Sequence, residues 1–266
     1  MNLSGEKADL SARPDLILLH GWSWQPAIWD PVREKLPRTL AVTTPALPGH
    51  GNDAAAAGQS ACVHREDWLP ALFDPARVDG AVLAGWSLGG LLALAAVAKG
   101  LVRPRALVLI GALPRFVAVP GEAGIDPGAI DDMAAGIRAG NAQLVLRRFD
   151  ALLRRGRRME PDERARIAAW RADSECTAEA LLQGLHWLRE TDLTNALSSM
   201  AIPVSLWLGE QDPLCPAHRG LAFEPLPVVS VEVLAGQGHW LPLTAAGAIA
   251  ENLQRVCAAT GPDSRP

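Results

Sequence analysis

The chain has 266 residues, 49% of them hydrophobic and 20% charged, with a formal net charge of −4. That length accommodates one α/β domain with an insertion or two small domains, and the apolar fraction is ample for a buried core, which excludes a disordered chain. The mild negative charge argues against general nucleic-acid binding, and the longest nearly apolar stretch, Leu88 to Ala98, is too short to span a bilayer.

The opening residues, MNLSGEKADLSARPD, hold no apolar segment of the secretory kind, so a cytoplasmic protein with no membrane association is expected. Cys62, Cys176, Cys215 and Cys257 are scattered and form no C-x-x-C pair, which disfavours a disulfide framework and a zinc cluster alike. Tyr is absent, Trp occurs nine times, and only three of the 25 basic residues are Lys. That bias carries no chemistry.

Short apolar runs at 16–19, 40–43, 81–84 and 106–110 read as buried parallel strands, with helical patterns between several of them. After a break at 118–128 the pattern changes: 130–195 holds no strand-like run but several helix-like ones, among them 143–153 and 177–188. Strand signals resume at 204–208 and 228–234, and a helix over 243–257 closes the pattern. The expectation is a mostly parallel twisted sheet with helices on both faces, formed by 1–117 and 196–266, with an all-helical cap over 118–195 inserted.

The insertion has its own electrostatics. Between Ile137 and Arg171 there are ten Arg against Asp150, Glu160, Asp162 and Glu163, a net of +6 in a chain that is acidic elsewhere. This is either a solvated helical face or a docking surface for an acidic partner.

The strongest chemical signal is Gly85-Trp86-Ser87-Leu88-Gly89-Gly90. It fits G-x-S-x-G, follows a strand and precedes a helix, which is the context of a nucleophile elbow. The turn is so tight that side chains two before and two after the serine collide unless they are glycine. A serine needs a base to take its proton and an acid to orient that base. Of six histidines, His20 and His50 sit in Gly-flanked turns before the elbow, His64 and His186 in helix-like segments, and His218 at the start of a surface helix. His239 alone follows the last strand, in Gly236-Gln-Gly-His-Trp240, where a loop delivers a side chain to the C-terminal edge of the sheet. The acid belongs after the preceding strand, and Asp212 of Gly209-Glu-Gln-Asp-Pro213 is preferred over Glu210. Two N–H donors for an oxyanion are expected from Leu88 and from Trp22, whose neighbour Gly21 lets the backbone approach closely. Trp22, Trp24 and Trp29 either line an apolar pocket or pack into the core.

At these residues the chain resembles the α/β-hydrolase family: LLHGW at 18–22, PALPGHG at 45–51, the elbow, GEQDPLCP at 209–216 and GQGHW at 236–240 stand in the expected order. AIWD, GWSLGG, Arg148-Phe149 and ETDLTNAL at 190–197 look like its BioH group, carboxylesterases that cleave the methyl ester of pimeloyl-acyl-carrier protein in biotin synthesis. An acyl-enzyme mechanism with Ser87, Asp212 and His239 is expected, requiring no metal or organic cofactor, in a monomer. By the same resemblance Trp22, Leu88 and the stretch Phe149, Asp150, Ala151, Leu152 and Leu153 contact substrate. Arg148, and in the same region Arg154, Arg155 and Arg158, are expected to meet the acidic carrier protein. Ala46 stands where many relatives place Asp, and Asn52 follows that motif. A general carboxylesterase, enol-lactonase or perhydrolase of the same fold, or a slow-turnover ligand receptor, are the alternative readings; serine at the elbow disfavours an Asp-nucleophile dehalogenase or epoxide hydrolase.

Overall fold

The computed structural model describes residues 14–51 and 65–260; Asn52, Cys62 and His64 lie outside the described residues. Among the described residues six strands form: β1 (Leu16–Leu19), β2 (Val42–Thr43), β3 (Val82–Trp86), β4 (Ala106–Ile110), β5 (Val204–Gly209) and β6 (Val229–Leu234). β1, β3 and β4 are buried at every residue, as apolar runs without alternation must be when both sheet faces are covered. The sheet order is β2-β1-β3-β4-β5-β6, and every pairing is parallel. All six C-terminal ends therefore open onto one edge, where loops from different strands meet.

Most boundaries fall within two residues of those expected, and two depart further. The strand expected over 40–43 shrinks to Val42–Thr43, because Leu40 N–H turns back onto Pro37 O and the Ala41 N–H is taken by the Asp15 carboxylate. The closing helix expected over 243–257 is two helices, Leu241–Thr244 and Ala246–Ala259. Ala245 between them has φ −123° and ψ 24°, outside the helical region, and Pro242 starts the first.

Helices flank the sheet. α1 (Arg65–Leu72) precedes β3, and α2 (Leu88–Ala98) follows it. α2 reads LGGLLALAAVA and is buried from Leu88 through Ala96, the pattern of a helix enclosed on all sides. Between β4 and β5 come α3 (Pro127–Arg138), α4 (Ala142–Leu153), α5 (Pro161–Ala172), α6 (Ala178–Glu190) and the short α7 (Thr194–Ser198). Their starts are fixed locally. Asp126 accepts the Gly128 N–H, Glu163 accepts the Glu160 N–H, and Thr177 accepts the Ala180 N–H. α3 packs on α4 and α6, and α6 reaches back to α2. No described helix is long and apolar enough to cross a membrane.

Candidate active site

Ser87 follows β3 and caps α2 with φ 55° and ψ −123°, a positive-φ backbone that costs a non-glycine residue about 1–3 kcal/mol. Its surroundings hold it there. Ser87 N–H donates to Ile110 O at 2.9 Å, and Ser87 O accepts from Gly90 and Leu91 N–H. The glycines make the turn sterically possible: a Cβ on Gly85 would stand 2.4 Å from the Gly89 carbonyl, and one on Gly89 2.5 Å from His20 O. Gly90 is as constrained, since a Cβ there would lie 2.6 Å from that of Ala112.

His239 and Asp212 reach the same edge from the loops after β6 and β5. His239 Nδ1 and Asp212 Oδ2 are 2.7 Å apart, both side chains buried. The other carboxylate oxygen, Oδ1, accepts the N–H groups of Leu214 (2.8 Å) and Cys215 (3.0 Å), so the acid is oriented from both sides. This leaves Nδ1–H as the donor tautomer and His239 Nε2 as the outward nitrogen, buried and without a partner among the described residues. Trp86, the residue before Ser87, donates its indole N–H to His239 O at 2.8 Å. Glu210 faces elsewhere, accepting the Gly236 N–H at 2.8 Å.

Asp212, Cys215 and His239 bring one potential ligand atom each within 4.8 Å of one another. These atoms are already committed to each other and to backbone. The Cys215 thiol is held protonated, pushed up by burial and by the Asp212 charge, and donates to Gly111 O. The chemistry of the set is that of a hydrogen-bond relay rather than of a cation cage.

The loop after β1 lies directly against the serine, and a Cβ on Gly21 would sit 3.1 Å from the Ser87 Cβ. Leu88 occupies the first position of α2, where a backbone N–H has no helical acceptor. His20 and His50 brace this loop as neutral rings. His20 Nε2 accepts the Leu47 N–H while its Nδ1–H donates to Gly21 O. His50 Nε2 accepts the Ser23 N–H and its Nδ1–H donates to Pro48 O. Burial above all, then the neighbouring ring of His50, pulls His20 down to about 3. Burial, with a smaller push from Arg171, pulls His50 down to about 4.

The helical segment covers this edge. Trp22 Nε1 donates to Leu181 O of α6 at 2.8 Å, and α6 comes so close at Gly184 that a Cβ there would be 2.4 Å from Trp22 Cδ1. Phe149 of α4 meets the Trp22 ring edge-on at 4.8 Å between centroids. Trp24 and Trp29 are buried in the core cluster with Trp22.

The five residues expected to contact substrate as a block do not share a face, because five consecutive helical positions run more than once round α4. Phe149 and Leu153 are buried and Leu152 half-buried, whereas Ala151 is exposed. Asp150 is turned inward, its carboxylate bound by the Arg171 guanidinium at 2.6 and 3.1 Å, which commits it to the protein rather than to a substrate. Arg148, Arg154, Arg155 and Arg158 are exposed, and among the described residues none is in an ion pair. Arg157 instead forks onto Glu163 at 2.7 and 3.0 Å. Gly111 and Arg171 escaped the sequence reading. Gly111 (φ 51°) leaves room beside the His239–Asp212 pair, where a Cβ would stand 3.4 and 3.5 Å from Nδ1 and Oδ2.

A parallel sheet with a strained serine at one strand end, and an Asp–His pair at two others, defines a hydrolase architecture. The family model described as "Alpha/beta hydrolase family" matches residues 16–252, so the chain belongs to that family. Within it the chain is a BioH-like carboxylic ester hydrolase. It is 40% identical over 215 residues, 77% of this chain and 82% of the relative, to a pimeloyl-[acyl-carrier protein] methyl ester esterase of Aromatoleum aromaticum. A protein of the same name from Stenotrophomonas maltophilia is 34% identical over 264 residues, 96% of this chain and 97% of its own. The solved structure of an esterase from Exiguobacterium antarcticum has the same fold, with a TM-score of 0.76 at 20% identity, covering 93% of this chain and 92% of its own.

Proposed function

We propose that the chain hydrolyses the methyl ester of a pimeloyl group carried on acyl-carrier protein, with Ser87 as nucleophile, His239 as base and Asp212 as its orienting acid. The observation that carries the chemistry is the buried His239–Asp212 pair at 2.7 Å, its Nε2 unpartnered, tied through His239 O to Trp86, the residue before a serine in elbow geometry. The substrate class follows from the two relatives, whose name is that activity and which span most of the chain.

Ser87 Oγ attacks the ester carbonyl carbon as its proton passes to His239 Nε2, and the carbonyl oxygen gains the charge. Trp22 and Leu88 N–H groups hold that oxyanion. The C–OCH₃ bond breaks, methanol leaves with the proton from His239, and the acyl group stays on Ser87. Water then repeats the sequence: His239 takes its proton, hydroxide adds to the acyl carbon, and Ser87 leaves as the free carboxylic acid forms. Asp212 fixes the imidazole tautomer and stabilises its charged form.

In this reading residues 118–195 act as a cap, with Trp22, Leu88, Phe149 and Leu153 lining the acyl path beneath it. Arg148, Arg154, Arg155 and Arg158 supply the docking charge. Two of the ten arginines of this region, Arg157 and Arg171, are used in internal ion pairs, which leaves the exposed ones free to steer an acidic carrier.

Steady-state hydrolysis of pimeloyl-carrier-protein methyl ester against p-nitrophenyl butyrate, across a salt series, tests the proposal. The expected result is a preference for the carrier ester that fades with salt, and a KM for that ester alone that rises in Arg148→Glu/Arg155→Glu. Turnover of the soluble ester without that preference would retire the carrier reading.

A further inference from the structure

Arg171, half-buried, is turned from the cap towards α4 and the loop after β1. Its Nε and Nη2 fork onto the buried Asp150 carboxylate, and Nη1 donates to Ser23 O at 2.6 Å. Ser23 Oγ lies 3.4 Å from both Nη atoms, and the guanidinium carbon stands 3.7 Å from the centre of the Trp24 ring. The hydrogen bonds of the side chain thus go to one partner in α4 and one residue of the loop after β1, with the ring of the next loop residue against the guanidinium.

That loop is strained where Arg171 holds it. Ser23 has φ 62°, and Ser23 and Ser87 are the only non-glycine residues with positive φ among those described. The peptide planes on either side of Trp22 are both pinned. In the Gly21–Trp22 plane the carbonyl accepts His20 Nδ1–H and the Trp24 N–H, which turns the Trp22 N–H the opposite way. In the next plane the Ser23 N–H is held by His50. Arg171 secures the third point, through the Ser23 carbonyl and the Trp24 face. Asp150 extends the tie to the ring of Trp22, because its neighbour Phe149 packs edge-on against that ring.

We infer that Arg171, held by Asp150, is a positioning residue that fixes the Ser23 backbone and so aims the Trp22 N–H at the developing oxyanion, making closure of the cap part of the catalytic geometry. The inference rests on the proposed role of Trp22 as an oxyanion donor. A fork that makes several simultaneous bonds and stacks on a ring is a function lysine cannot reproduce, and a buried carboxylate stripped of its partner is strongly unfavourable, so the pair acts as a unit.

The test uses Arg171→Met, Arg171→Lys, Asp150→Asn and the double variant Asp150→Asn/Arg171→Met. Each is assayed on p-nitrophenyl butyrate and for affinity to a trifluoromethyl ketone, whose adduct with Ser87 places an oxyanion in the same hole. A whole oxyanion donor is worth about 10²–10³ in kcat, so a misaimed one is expected to cost roughly 10–100-fold. In Arg171→Met, kcat falls by that factor with KM within about threefold, and ketone affinity falls in parallel. Arg171→Lys recovers only part, and the double variant is no worse than Arg171→Met. Unchanged kcat and ketone affinity in a folded Arg171→Met protein, or a rise in KM alone, overturns the inference. Should Arg171→Met fail to fold, the same kcat-against-KM split in Arg171→Lys and Asp150→Asn decides. A wild type that cleaves the soluble ester but not the carrier ester retires the carrier reading and leaves this test intact.

Discussion

The indole N–H of Trp86 donates to the backbone carbonyl of His239 at 2.8 Å, across 153 residues of sequence. The residue that presents the serine thus also holds the loop that presents the histidine, and the two rings lie tilted with centroids 5.4 Å apart. Trp86→Phe keeps an aromatic ring beside His239 but removes one buried hydrogen bond and part of the indole's packing, leaving the Leu241 N–H as the donor to His239 O. The expected cost is about 1–3 kcal/mol in unfolding free energy, with a fall in kcat larger than any change in KM. Denaturant unfolding beside steady-state kinetics checks both.

Ser87→Ala removes the nucleophile and leaves the turn intact, so the fold should survive while kcat falls by roughly 10⁶-fold. Asp212→Asn leaves the geometry nearly unchanged and is expected to cost about 10⁴-fold through the wrong imidazole tautomer. Circular dichroism with ester hydrolysis measures each. A tenfold loss in Ser87→Ala would sink the nucleophile assignment.

Gly111 is tested by Gly111→Ala. The new Cβ would sit 3.4 Å from His239 Nδ1 and 3.5 Å from Asp212 Oδ2, on a backbone with φ 51°. Left-handed strain of roughly 1–2 kcal/mol is expected in unfolding, together with a lower kcat at nearly constant KM. A variant with wild-type kcat would mean that the Asp–His pair tolerates displacement.

Much of this site was legible because its determinants are local. The elbow needs glycine at Gly85 and Gly89, and their collisions are set by residues within a few positions or by one strand. That His239 and Asp212 come together was legible from their order behind two late strands, with the Gly209–Pro213 turn separating Asp212 from Glu210. Arg171 was not legible: in a run of arginines nothing local separates the one that turns inward from those that stay in solvent. The resemblance placed Asp150 against substrate as part of a block, and nothing local shows that its carboxylate is bound by Arg171, 21 residues on. Ser23 itself carries no mark of a left-handed backbone, which is imposed by His50 and Arg171 from distant elements.

The buried histidines give a pH prediction with a definite sign. Below the ordinary value of 6.5 the unfolded chain takes up protons that folded His20 and His50 refuse, so stability falls as pH falls. The loss runs from about 6.5 down to about 4 for His50 and about 3 for His20, at about 1.4 kcal/mol per pH unit for each ring. Above 6.5 neither contributes a slope. His50→Gln should flatten the slope of unfolding free energy between pH 6 and 4.5 by the equivalent of one proton. An unchanged slope would mean that His50 titrates in the folded protein.

The order of the strands has a consequence for synthesis. Ser87 and its elbow are complete once β4 supplies Ile110 O, but His239 arrives only behind β6, the edge strand that enters the sheet last in sequence. A nascent chain with β6 still in the exit tunnel carries the proposed nucleophile without the proposed base. On the proposed roles, hydrolysis is withheld until β6 and the loop behind it have emerged and docked.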